Sequence, residues 1–232
     1  MRSTQYTSAV GSKFHADGSV RPFPGNTIIC SVSPQHQPVV YGQALAAQKA
    51  LQAMQCSDKY AFLPPESFHM TVMELLCDQV RTASNWSDRL PLTASLEQTD
   101  RFFIETVLPI PAPDAIRMRY SHMRQPGLIA LEPADEATAT ALGAYRDAVA
   151  NATGVRFPNH DSYGYHISLV YRLVELTADE QEEVDATFGA IDQRLGEHFG
   201  IFEPSDPELV FFDNMFEFVP KNRRHALTTR NL

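Results

Sequence analysis

The sequence predicts an α+β fold with two similar lobes, not a doubly wound parallel sheet. Strand-like apolar runs alternate with helical patterns, yet turn signals also join neighbouring strands directly. A rigid connector, Pro109, Pro111 and Pro113, divides the chain into halves of nearly equal length, with elements in a similar order on either side. At 232 residues the chain is long enough to bury a core without staples.

Residues 1–12 are Ser/Thr-rich and read as a flexible arm. Asp17-Gly18 and Pro24-Gly25 are turn chemistry, so residues 13–26 read as an ordered loop or short hairpin leading into a strand, Thr27 to Val32. Tyr41 to Met54 has helical apolar spacing. Pro64-Pro65 precedes a strand from Ser67 to Leu75. Residues 85–101 read as a broken helix, and Phe102 to Leu108 as a strand. In the second half, Ile116 to Tyr120 and Leu128 to Leu131 are strand candidates. Asp135 stands where it would cap an Ala-rich helix to Asn151. Tyr165 to Leu173 reads as a strand, and Thr177-x-x-Glu180 is a capping box opening a helix to about Phe199. Leu209 to Val219 is apolar, with a turn at Asp213-Asn214, before a basic tail at 221–232.

The formal charge of −9 argues against a protein that grips long nucleic acid by neutralising many phosphates. It leaves open one or two phosphates held in a pocket. Cys30, Cys56 and Cys77 are an odd, sparse set and read as free thiols in a reducing compartment. The polar N-terminus is no secretory signal, and no apolar stretch approaches a membrane span. A cytoplasmic, monomeric protein without membrane contact is expected. Neither Gly-rich phosphate loop, nor H-E-x-x-H, nor G-x-S-x-G occurs.

Two pentapeptides stand out: Phe68-His69-Met70-Thr71-Val72 and Tyr165-His166-Ile167-Ser168-Leu169. Each reads apolar, His, apolar, hydroxyl, apolar, and one lies in each half. With 8 His and 30 Ser plus Thr, about one H-x-[ST] triplet arises by chance. His160-Asp161-Ser162, in a polar stretch without a strand pattern, is taken as that copy. Along a strand, residues i and i+2 share a face, so His69 points with Thr71 and His166 with Ser168. Ser67 and Gly164, two residues before each His, are small and would leave room for a ligand. Two facing His–hydroxyl pairs suit phosphodiester chemistry without a metal. A neutral imidazole takes a proton from the nucleophile, a protonated one gives a proton to the leaving oxygen, and the hydroxyls hold the phosphate.

These paired motifs resemble the signature of the two-histidine (2H) phosphoesterase superfamily, which includes 2′-5′ RNA ligase-like proteins and cyclic nucleotide phosphodiesterases. The opening segment, Lys13-Phe14-x-x-Asp17-Gly18 through Pro22-Phe23-Pro24-Gly25-Asn26-Thr27, is similar to a bacterial branch described only as a domain of unknown function. The resemblance covers roughly residues 13–220. It implies a single bilobal domain whose halves meet near 109–115, each lobe a small, mainly antiparallel sheet with helices outside, flanking a central cleft. It implies His69 and His166 as acid and base, with Thr71 and Ser168 orienting phosphate. The expected substrate is a cyclic phosphate or a short 2′-5′ or 3′-5′ nucleotide linkage, such as an RNA end.

Four residues are weaker candidates for substrate binding. Tyr163 could stack on a base, Arg119 could reach a phosphate, and Lys13 and Arg21 flank the turn-rich segment that could fold over the cleft. Arg172 could reach the rim at most. His15, His36, His122, His198 and His225 lack metal-ligand spacing and are assigned to the surface, so no metal or cofactor is expected. A non-catalytic module holding a nucleotide or phosphometabolite in the same cleft is the main rival. A plain interaction protein using the acidic helix from Thr177 is another.

Overall fold

The computed structural model describes residues 4–220. It contains β1 (Gly25–Ser31), α1 (Pro38–Gln52), β2 (Tyr60–Phe62), β3 (His69–Cys77), α2 (Leu96–Val107), β4 (Met118–Arg124) and β5 (Leu128–Pro133). Then follow α3 (Glu136–Thr153), β6 (His166–Ser168), β7 (Val170–Arg172), α4 (Ala178–His198), β8 (Ile201–Phe202), β9 (Glu208–Asn214) and β10 (Glu217–Pro220). Eight strands form one sheet in the order β10-β9-β1-β3-β6-β5-β4-β8, and β2 pairs with β7 apart from it. The α+β class and the antiparallel pairing agree with the expectation. The two lobes' strands are not separate sheets, however. Four strands on each side join through β3 and β6, the two motif strands, at the pair Met70–Ile167.

That junction is short because the second motif strand is short. Tyr165 to Leu173 does not continue as one strand: it leaves the large sheet after Ser168, and residues 170–172 pair with β2 instead. The buried Gln48 amide fixes the break, donating to the carbonyls of Leu63 at 2.7 Å and Leu169 at 3.0 Å. Arg172, turned away by the break, pairs with Glu175 at 3.0 Å.

Phe102 to Leu108 is helical, not a strand. Ser95 and Gln98 form a reciprocal capping box, and Thr99, Phe103 and Val107 recur at helical spacing as the buried face of α2. The aromatic, β-branched composition suggests a strand, but the cap and the period of the apolar face decide the outcome. Residues 85–101 accordingly hold only the first turns of this helix, after a single 3-10 turn at Ala83–Asn85. The helices at Asp135 and Thr177 start as expected, each capped by that residue's side chain.

Residues 5–14, expected in part as a loose arm, are hydrogen-bonded. Glu175 N–H donates to the Gln5 carbonyl, Thr7 N–H to the Leu173 carbonyl, and Phe14, fully buried, bridges to Val20. Burying Phe14 offsets the entropy lost by ordering the segment. At Gly25 a side chain has no room, since a Cβ would lie 2.6 Å from both the Leu76 carbonyl oxygen and the Phe212 ring. No helix of the described residues is long and apolar enough to cross a membrane. The basic tail, 221–232, and His225 lie outside the described residues.

Candidate active site

The central junction of the sheet forms the floor of a cavity of about 260 Å³. His69, Thr71, His166, Ser168, Tyr163 and Lys13 all line it. Because β3 and β6 run antiparallel with Met70 opposite Ile167, the register sets His69 opposite Ser168 and Thr71 opposite His166. The two imidazoles thus stand at diagonal corners of a four-residue block, where residues are typically about 7–8 Å apart and their Cβ atoms somewhat closer. Met70 and Ile167 point the other way and are fully buried.

Both rings are held in the same manner. His69 Nδ1 lies 2.6 Å from the Ser67 carbonyl oxygen, and His166 Nδ1 lies 2.9 Å from that of Gly164. A carbonyl only accepts, so each Nδ1 carries the hydrogen and each neutral ring keeps its lone pair on Nε2. The residues two before each His therefore act through their carbonyls, which orient the rings.

The two environments differ. The Phe218 ring packs on His69 with centroids 4.3 Å apart. Burial pushes the His69 pKa down to about 4, with the Ser67 carbonyl opposing and the His166 charge assisting. His166 is also lowered by burial. There the Gly164 carbonyl and the Glu74 carboxylate pull back upward, while Arg124 and Lys13 push further down.

Glu74 has no counterpart among the residues expected from the sequence. Strict alternation from His69 and Thr71 would bring Met73 and Leu75 to the cleft face. A β-bulge intervenes: Ile29 pairs with Thr71 but Ile28 with Met73, leaving Val72 as the extra residue. Glu74 is thereby turned into the cavity lining. Two buried donors hold the bulge. Arg146 Nη1 donates to the Val72 carbonyl at 2.5 Å, and Thr27 Oγ1 to the Met73 carbonyl at 3.0 Å. Arg146 also donates to the His160 carbonyl at 2.7 Å and lies over the Tyr163 ring, 4.5 Å from its centroid. The Tyr163 ring thus carries a cation on one side, and its hydroxyl adjoins that of Thr71.

Lys13 donates to the Tyr171 hydroxyl at 3.2 Å and lies over that ring and the Phe23 ring. Arg119 and Arg21 do not line the cavity. Arg119 is exposed on β4 and pairs with Glu132 at 2.8 Å. Arg21 stays beside Lys13 only through its backbone N–H, which donates to the Lys13 carbonyl. His15, His36, His122 and His198 are exposed as expected. His160, of the third triplet, is buried outside this cavity with Nε2 3.1 Å from Asp147. Asp147, His160 and Asp161 bring donor atoms within 4.8 Å of one another, but Arg156 already bonds both carboxylates, at 2.5 Å and 3.1 Å.

No curated protein matches the chain. Among solved structures, a conserved protein of unknown function, ATU0111 from Agrobacterium tumefaciens str. C58, is similar in fold. It is 24% identical, with a TM-score of 0.87 over 93% of this chain and 92% of that one. The protein TT0787 of Thermus thermophilus is 14% identical over 80% of this chain and 86% of that one, with a TM-score of 0.45. A family model named 2H-phosphodiest, described as a domain of unknown function (DUF1868), matches residues 13–129, which include the opening segment and the first motif. This bears out the resemblance read from the motifs: the chain belongs to the 2H-phosphodiest family.

Proposed function

We propose that the protein is a phosphodiesterase acting on a cyclic phosphate or a short 2′-5′ or 3′-5′ nucleotide linkage, by imidazole acid–base chemistry that needs no metal. The observation that carries this reading is the diagonal pair His69 and His166, each fixed through Nδ1 and each lining one cavity. Phosphorus seated between them would have the Thr71 and Ser168 hydroxyls on its non-bridging oxygens. His69, whose charged form is disfavoured most, is the base that takes the proton from water or a hydroxyl nucleophile. His166, whose charged form the Gly164 carbonyl and then Glu74 support against burial and the Arg124 and Lys13 charges, is the acid that protonates the leaving oxygen. The cavity of about 260 Å³ and its single lysine among the described residues suit a small substrate better than a long RNA.

The test is hydrolysis of 2′,3′-cyclic nucleotides and short oligonucleotides in EDTA by wild type, His69→Ala, His166→Ala and the double variant. Each single variant should lose roughly 10²–10⁴ in turnover with the fold intact by circular dichroism. A double variant as fast as wild type refutes the assignment. Nucleotide-induced thermal stabilisation without turnover would instead identify a binding module.

A further inference from the structure

Glu74 is the one carboxylate among the described residues that line the cavity. Its side chain is exposed and makes no hydrogen bond or ion pair to any described residue. The fold does not leave it there by default, because regular pleating would turn it away. The bulge at Val72 brings it in, and Arg146 and Thr27 anchor that bulge from buried positions. The fixed charges around the motif are Glu74 against Lys13, with Arg124 acting on His166 from outside the lining and Arg146, which shares a small adjoining pocket with Glu74, bonded to the Val72 and His160 carbonyls.

A free carboxylate beside a phosphate site disfavours every anion, in proportion to the anion's charge. Water opening a cyclic phosphodiester breaks one P–O ester bond and forms one P–O bond to the incoming oxygen. The proton taken from water is balanced by the one given to the departing hydroxyl. The substrate carries one negative charge. The product monoester carries nearly two at neutral pH, because its second ionisation lies near pH 6. We propose that Glu74 is a charge discriminator, making the site favour monoanionic phosphodiesters over dianionic phosphomonoesters and so promoting release of product. This rests on the phosphodiesterase reading of the same cavity.

The experiment is calorimetric titration of wild type and Glu74→Gln at low salt and pH 7.5. The probes are a 2′-deoxynucleoside 3′-monophosphate and its methyl ester, which share a nucleoside and differ in charge. Removing the carboxylate should tighten the dianion's Kd roughly tenfold and the monoanion's only about threefold. The dianion's gain is the square of the monoanion's, because the repulsion scales with ligand charge. Both gains should shrink in 0.5 M salt, where the Debye length falls to roughly 4 Å. Equal changes for the two ligands, or weaker binding of both, would overturn the discriminator role while leaving the phosphate site standing. Failure of both proteins to bind either ligand would remove the phosphodiesterase reading and this inference with it.

Discussion

Met70 lies directly opposite Ile167, and this one antiparallel pair sets His69 against Ser168 and Thr71 against His166. The two sides of the sheet meet at their motif strands, so the seam of the fold is also the floor of the cavity, although the division is not the expected one near residues 109–115, because the C-terminal strands β9 and β10 cross back to pair beside β1. Shifting β6 by one residue would bury His166 and expose Ile167, because the side-chain period is two. The apolar flanks of each motif, fully buried at Met70, Val72, Ile167 and Leu169, fix the register.

The two histidines predict an acidic pH optimum. The base must be neutral, which holds for His69 above about pH 4. The acid must be protonated, which holds for His166 below a pKa that burial has moved under 6.5. The kcat/KM profile of wild type should therefore be bell-shaped, with its maximum between those limits and about a tenfold loss per pH unit on the alkaline side. Glu74→Gln should move the alkaline limb lower, since the carboxylate supports the His166 cation. A maximum above pH 8 would rule out this assignment of roles.

The hydroxyls should be nearly interchangeable in effect, because register makes them equivalent partners of the two rings. Thr71→Val and Ser168→Ala should each lower kcat by roughly 10–10³-fold, the range seen when one donor to a developing oxyanion is removed. Steady-state kinetics on a cyclic nucleotide would measure this. A loss confined to KM would mean that the hydroxyls only bind the ground state.

The parts of this site legible in the sequence are those written in local periodicity. His–x–hydroxyl spacing within an apolar run places two side chains on one face of a strand whatever the tertiary context, and both pairs line one cavity. Glu74 is illegible because a bulge depends on what the strand packs against: Arg146 reaches Val72 across 74 positions of sequence. Lys13 and Tyr163 line the cavity, whereas Arg119 meets Glu132, an opposite charge across the β4–β5 pair that single-strand reasoning does not see. The ring-orienting carbonyls of Ser67 and Gly164 leave no side-chain signature at all. At Phe102 the strand-forming composition misleads, because the Ser95 cap outweighs it.

Arg146 should act on catalysis through the residues it positions. Its guanidinium holds the Val72 carbonyl, the His160 carbonyl and the Tyr163 ring. Arg146→Met strands two buried carbonyls, each costing about 1–3 kcal/mol, so the urea midpoint should fall clearly. Arg146→Lys keeps the charge but cannot reproduce the fork. It should retain more stability than the Met variant while still losing kcat, because Thr71 and Glu74 flank the bulge it no longer pins. Full activity in the Lys variant would show that the bulge holds its shape without Arg146.

His69 also ties stability to pH. Its pKa is about 4 in the folded protein, against about 6.5 when unfolded. Between those values the unfolded chain binds a proton that the native ring refuses. Stability therefore rises with pH through this window and is lost as the solution is acidified from about 6.5 toward 4, with a slope of up to about 1.4 kcal/mol per pH unit from this group alone. His166, lowered in the same direction, adds to the trend. His69→Gln removes the titrating group, so its unfolding free energy, measured by urea denaturation at half-unit intervals, should depend less steeply on pH across that window. The wild-type and variant curves should run parallel above pH 7, where the ring is neutral in both states. Parallel curves across the whole range would mean that His69 titrates normally in the folded protein. The acid limit assigned to the pH–rate profile would then have to move up toward 6.5.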